Sequence, residues 1–225
     1  MKNESKGLIV SLFDYTGVVL EPWAEVGYEC WSVDLQHQDV CGTQDNRGIW
    51  QFKGDIRTWR LPNREDLKMV FAWPPCTHLA VSGARWFKGK GLHALAEAIS
   101  LVAHAADACD KSGVPYLIEN PISTLSSYWR APDYIFDPCD YGGYLDPEGD
   151  KYTKKTCLWT GGGFKMPEVK YVEPTEGSRM HKLPPSAERA NIRSATPEGF
   201  ARAVFEANAS LDDLIQKTFG FTKTT

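Results

Sequence analysis

The sequence predicts an α/β fold: one doubly wound, mostly parallel sheet in a single domain spanning residues 1–225. Three observations lead there. Short apolar runs recur at GLIVSLF (7–13), KMVFAW (68–73) and PYLIE (115–119), as in strands buried on both faces. Segments of helical spacing stand between such runs, and alternation of strand and helix implies parallel pairing. A chain of 225 residues that is 42% hydrophobic can enclose one substantial core.

Taken in order, GLIVSLF opens the sheet, and VVLEPWAEVGY (18–28) has the spacing of a short amphipathic helix with Pro22 near its start. ECWSVDL (29–35) returns to strand, completing a mononucleotide-binding half with Asp34 at the second strand's end. KMVFAW and PYLIE are further buried strands, separated by the amphipathic helix LHALAEAISLVAHAADACDKSG (92–113), which Gly113 closes. YIFDPCDYGG (134–143) and KKTCLWTGG (154–162) read as two more strands, and TPEGFARAVFEANASLDDLIQKTF (196–219) as one or two closing helices. The stretch 161–185, rich in Gly, Pro and charge, is a loop region and not a domain.

A formal charge of −4 argues against a protein that coats duplexes through a generally basic surface, while leaving room for local basic patches. Residues 1–6 lack the apolar centre of a secretory signal, and no apolar run is long enough to span a bilayer. The expectation is a cytoplasmic protein with no membrane partner. Six cysteines are scattered without CxxC or Cys/His ligand spacing, so neither a disulfide framework nor a metal site is expected.

In a doubly wound sheet, ligands sit beyond the carboxyl ends of the strands. FDYTG (13–17) ends the first strand, where Gly17 brings backbone amides near a ligand. Asp34 is placed to accept both hydroxyls of an adenosine ribose, and Asp55 and Ile56 of GDI (54–56) to hold an adenine edge and face. Cys76 and ENP (119–121) end the two later strands. Each has an ordinary structural explanation alone; their joint placement argues for a site.

The order of these segments resembles the cytosine C5-methyltransferase family, particularly its small phage-encoded members. SLFDYTG…EVGY resembles the family's DLFSGxGG…AGF cofactor loop, and VDL and GDI resemble its adenosine-binding strand ends. PPCTHLAVSGAR resembles the PPCQxFSxAGxR nucleophile loop, IEN (118–120) the ENV segment, and DYGG…YTKKTCLW (140–159) the DYGxPQxRxR strand pair. KLPPSAERA and ATPEGFARAV resemble the last two blocks, so the match follows the family's order over nearly the whole chain.

The resemblance implies a sheet of the S-adenosylmethionine-dependent methyltransferase type, S-adenosyl-L-methionine as cofactor, and a DNA or cytosine-nucleotide partner in the cytoplasm (the host's, if phage-encoded). Cofactor contacts carry over to Phe13, Asp14, Thr16, Gly17, Asp34, Leu35, Asp55, Ile56 and Pro74. Cys76 becomes the thiolate that adds to cytosine C6, Glu119 the group holding N3, and Lys154 an auxiliary cation. Substrate contacts fall on Pro75, Thr77, His78, Ser82, Arg85, Asn120, Pro121 and Lys155, with Arg179 and Lys182 as phosphate clamps.

Departures are equally specific. Tyr15 and Val18 replace the first and last glycines of the cofactor loop, and the family's strand-pair arginines fall on Lys154 and Thr156. Only about residues 160–181 stand where the family has a target-recognition region, too few for a domain, so little sequence selectivity is expected. Three alternatives stay open: methylation of a free nucleotide such as deoxycytidylate, a folate-dependent reaction like that of thymidylate synthase, whose PPCH the PPC and nearby His78 of this chain resemble, and a non-catalytic, anti-restriction-like binding protein.

Overall fold

The computed structural model describes residues 5–178, 186 and 189–219. Its frame is an eight-stranded sheet: β1 (Leu8–Leu12), β2 (Glu29–Asp34), β3 (Thr43–Gln44), β4 (Trp50–Lys53), β5 (Leu67–Ala72), β6 (Tyr116–Pro121), β7 (Tyr134–Phe136) and β8 (Thr156–Gly161). Their spatial order is β3-β4-β2-β1-β5-β6-β8-β7. The five strands from β4 to β6 are parallel, and β1 lies at their centre with Leu12 opposite Val33 of β2 and Ala72 of β5. β3 is added antiparallel at one edge and the β8-β7 pair at the other. The fold is the α/β, mostly parallel, single-domain architecture that the sequence predicts.

Every residue of β1 is buried, because alternate side chains feed cores on both faces. On one face Ile9, Met69 and Phe71 meet Trp23 of helix α1 (Glu21–Glu25) and Phe200 and Val204 of the helix Glu198–Asn208. On the other, Leu8, Val10, Leu12 and Val70 meet Ala98, Val102, Ala105 and Cys109 of helix α2 (Phe87–Ser112). The chain thus winds outward from β1 in both directions, which opens a crevice beyond the ends of β1 and β5.

Several boundaries differ from the sequence reading. The first helix is a 3₁₀ turn (Val18–Leu20) running into α1, with Pro22 in the first turn. α2 begins at Phe87 and not Leu92, with a break at Gly91, whose φ of 77° no helix accommodates. The strand expected over 134–143 stops at Phe136, because Asp137 and Asp140 cap each other across a 3₁₀ turn (Pro138–Asp140). β3, β4, helix α3 (Leu125–Tyr128) and helix α4 (Arg189–Ser194) were not anticipated. Two closing helices follow, α5 (Glu198–Asn208) and α6 (Leu211–Phe219). No strand or helix lies within 162–178, in keeping with the predicted loop region.

Candidate functional site

The backbone beyond β5 is steered by two anchors. Trp73 N–H donates to Leu12 O at 3.0 Å, extending the pairing with β1 by one residue, and its indole N–H donates to Ser11 Oγ at 2.9 Å. Trp73 is therefore a packing residue. Pro74 and Pro75 then restrict the chain to extended conformations, and at Cys76 it turns sharply, with Leu79 N–H and Ala80 N–H both donating to Cys76 O. The turn leaves the Cys76 side chain half-buried.

One strand away, Glu119 and Asn120 lie in the last three residues of β6. Asn120 is fully buried, and its Nδ2 donates to Pro74 O at 2.8 Å, clasping the tip of β6 to the residue two before Cys76. A second tie lies beyond: Ala80 bridges Ser123, and Val81 N–H donates to Ile122 O at 3.1 Å. Asn120 Oδ1 is buried with no hydrogen-bond partner among the described residues.

Lys154 reaches the same place because β8 runs antiparallel to β6. Thr156 pairs with Pro121, so the residues just before β8 stand at the end of the sheet that carries Cys76 and Glu119. Lys154 Nζ lies 3.8 Å from Glu119 Oε1, with the two side chains only 19% and 12% exposed, and it donates to Arg193 O of α4 at 3.1 Å. Burial pushes the Glu119 carboxyl above its ordinary range, with Lys154 acting in the opposite direction. Burial, then the Glu119 charge, push the Cys76 thiol up; Lys154 and Arg193 pull it down. The structure therefore brings together Cys76, Glu119, Asn120, Pro74 and Lys154 from the sequence reading, with Arg193 of α4 beside them.

Beyond β1, Phe13 adopts φ 56°, a left-handed conformation that costs a non-glycine residue on the order of 1–3 kcal/mol. Gly17 takes φ 68° ahead of the 3₁₀ turn. The buried Asp14 carboxylate holds this loop: Oδ1 accepts from Thr16 N–H, Thr16 Oγ1 and Gly17 N–H, and Oδ2 from Ser11 Oγ. Asp14 thus organises the loop from within. Arg47, which the sequence reading missed, straps it from outside, donating to Thr16 O at 2.9 Å while pairing with Glu21 and Asp45. A cleft of about 420 Å³ opens beside the loop, between Tyr15, Thr16, Val18 and Gln51 on one wall and Asn191, Ile192 and Ala195 on the other. That volume lies within the range of small-molecule sites, roughly 300–1,000 Å³.

Asp34 ends β2, where burial raises its carboxyl while the Gln36 N–H, donating to Oδ1 at 2.8 Å, lowers it. Leu35 beside it is exposed. Beyond β4 the picture differs from expectation: the Asp55 carboxylate is gripped by Arg57 through Nε and Nη2, which holds it below its ordinary range, and Ile56 is buried in the core.

The remaining expected substrate contacts spread around the Cys76 loop. Pro75, Thr77, Ser82 and Arg85 are exposed, Pro121 is half-buried, and His78 is half-buried with a partnerless Nδ1 among the described residues. Lys155 is exposed and its ammonium stands 3.8 Å from Asp137, turned away from Lys154 because neighbouring residues leading into an extended strand face opposite ways. Arg179 and Lys182 lie outside the described residues. Among the described residues no three His, Cys, Asp or Glu side chains gather as a metal ion requires, and no helix is long and apolar enough to cross a membrane.

No protein-family model and no curated protein matches the chain. Among solved structures it is similar to an E. coli prophage-encoded protein described as a proposed DNA modification methyltransferase, at 12% identity and a TM-score of 0.41. The match covers 80% of this chain and 49% of the other, so the chain spans about half that protein's length. Likeness at that level assigns neither an activity nor a substrate.

Proposed function

We infer that the protein methylates cytosine at C5 in DNA with little sequence selectivity, using S-adenosyl-L-methionine, through a transient bond between Cys76 and cytosine C6. The observation that carries this reading is the joint position of a half-buried thiol and a buried carboxyl on neighbouring strand tips, clasped by Asn120 and served by one shared cation, Lys154.

Cytosine C5 is a poor nucleophile until a thiolate adds at C6. In the inferred reaction, Cys76 Sγ bonds to C6 and the electron pair of the C5–C6 double bond moves onto C5. Charge then builds on the ring, and a protonated Glu119 answers it by hydrogen bonding to N3. The raised Glu119 carboxyl suits that donor role. Protonation of Glu119 also removes the negative charge that opposes the Cys76 thiolate, so each group favours the reactive form of the other. Once C5 carries its methyl group, loss of the C5 proton to a base and departure of the sulfur as thiolate restore the double bond.

When bound, the sulfonium cofactor supplies an electrophilic methyl group. The residues present fit it in part. The half-buried Asp34 carboxyl, held from one side by Gln36, suits a ribose hydroxyl pair, and the cleft at Tyr15, Thr16 and Val18 suits the rest of a small ligand. Arg57 would have to release Asp55 before that carboxylate could take an adenine amine.

Transfer of a labelled methyl group to cytosine-containing DNA tests the reading. Wild-type protein is expected to transfer and Cys76→Ala to lose transfer while still binding cofactor; transfer by Cys76→Ala would overturn the covalent route.

A further inference from the structure

The loop that follows Cys76 is chemically unlike the rest of the chain. Between Asp66 and Glu97 there is no acidic residue, whereas Lys68, Arg85, Lys88 and Lys90 all fall there, in a protein of net charge −4. The 3₁₀ turn Val81–Trp86 buries none of its side chains. Val81 is 49% exposed, Trp86 60% and Leu92 82%, three apolar side chains that the fold leaves uncovered. Arg85 stacks over the Trp86 ring at 5.1 Å and makes no ion pair among the described residues. Lys90 Nζ donates to Thr77 O, which folds this segment back onto the residue after Cys76.

We propose that Arg85 and Trp86 form a stacking platform for an unpaired nucleobase, and that the protein therefore takes its cytosine from single-stranded nucleic acid. The guanidinium covers one face of the indole and fixes its orientation, leaving the other face for a base; base on aromatic stacking beside basic side chains is how single strands are held without sequence readout. Bases in an intact duplex are stacked on one another and offer only their edges, so an exposed indole gains little from them. The platform's place in the Cys76 loop lets it hold a nucleotide near the one undergoing reaction. The proposal rests on Cys76 and Glu119 being the cytosine site, and it adds the kind of strand that delivers the cytosine.

The test is binding, measured on full-length Cys76→Ala protein so that no covalent step contributes. Fluorescence anisotropy would compare a labelled cytosine-containing DNA single strand with the same strand annealed to its complement, at one salt concentration. The expected result is at least tenfold preference for the single strand. Trp86→Leu, which keeps apolar bulk without a π-face, is expected to weaken single-strand binding by roughly 5- to 150-fold, the loss of one stacked base. Trp86→Phe should retain most of the affinity, and the exposure of this side chain means neither change should move the thermal midpoint. Equal or tighter duplex binding, unchanged affinity in Trp86→Leu, or no binding of either DNA would overturn the proposal. Single-strand binding as expected, without methyl transfer by wild-type protein, would refute the methyltransferase reading and leave the platform standing.

Discussion

The Lys154 ammonium lies 3.8 Å from a Glu119 carboxyl oxygen, and both side chains are more than four-fifths buried. In the proposed reaction one cation thus serves a carboxyl that acts protonated and a thiol that acts ionised. Lys154 lowers both groups. Removing it in Lys154→Ala is expected to push both upward and carry both limbs of kcat/KM against pH, which report the ionisations of the free enzyme, to higher pH. Lys154→Arg should restore part of the change by returning the charge. An unshifted profile in Lys154→Ala would mean that the ammonium does not act on Cys76.

The same burial makes Glu119 a liability for folding. Its folded-state carboxyl lies above the ordinary 4.5, so between that value and the raised one the native chain holds more protons than the unfolded chain. Stability therefore falls as pH rises through this window, and the penalty is complete above it. Glu119→Gln, uncharged at every pH, should be more stable than wild type at pH 8 and lose most of that advantage near pH 4. Each kcal/mol gained raises the midpoint by about 2–4 °C at this chain length. Calorimetric scans at the two pH values check the sign, and a variant less stable than wild type at pH 8 would contradict it.

Asn120 contributes geometry. Its single bond to Pro74 O fixes the Cys76 loop against β6, and Asn120→Ala would leave a buried carbonyl unpaired, at a cost of about 1–3 kcal/mol. Misplacing the thiol by about 1 Å is expected to lower kcat on the order of 100-fold. Stopped-assay kcat and the thermal midpoint should fall together; an unaltered kcat in a destabilised variant would show the clasp to be structural only.

How much of this was legible follows from what kind of contact each feature depends on. β1, β5 and β6 are apolar on both faces, and that pattern is written in consecutive residues. That Cys76 and Glu119 lie at neighbouring strand ends follows from strand ends in such a sheet pointing to one crevice, whereas Lys154 comes from the resemblance of its segment to the family's strand pair, since it precedes an antiparallel strand. β4 was not: WQFK is short, only partly buried and ends in a lysine, and it is a strand because β2 already offers it an edge. The Asp55–Arg57 pair and the Asp14 bonds are rotamer choices between near neighbours that spacing does not encode. Arg47 sits 31 residues from the loop it straps, and only the fold brings the two together.

That strap gives a prediction at the other half of the site. Arg47→Ala removes the donor to Thr16 O and leaves Glu21 and Asp45 without their shared partner. Cofactor affinity measured by titration calorimetry should fall about tenfold, equivalent to about 1.4 kcal/mol. Arg47→Lys should recover little of it, because a single ammonium cannot reproduce the guanidinium fork. Wild-type affinity in Arg47→Ala would remove the loop from the cofactor site.

In the proposed reaction the sulfur of Cys76 bonds to a cytosine ring held by Glu119. Intact-protein and peptide mass spectrometry after incubation with cofactor and a single strand containing 5-fluorocytosine, which blocks release of the sulfur, measures it most directly. One stoichiometric adduct is expected on the peptide carrying Cys76, absent in Cys76→Ser and greatly slowed in Glu119→Gln. Protein that binds cofactor and strand yet forms no adduct, or forms it on another residue, would rule out Cys76 as the nucleophile.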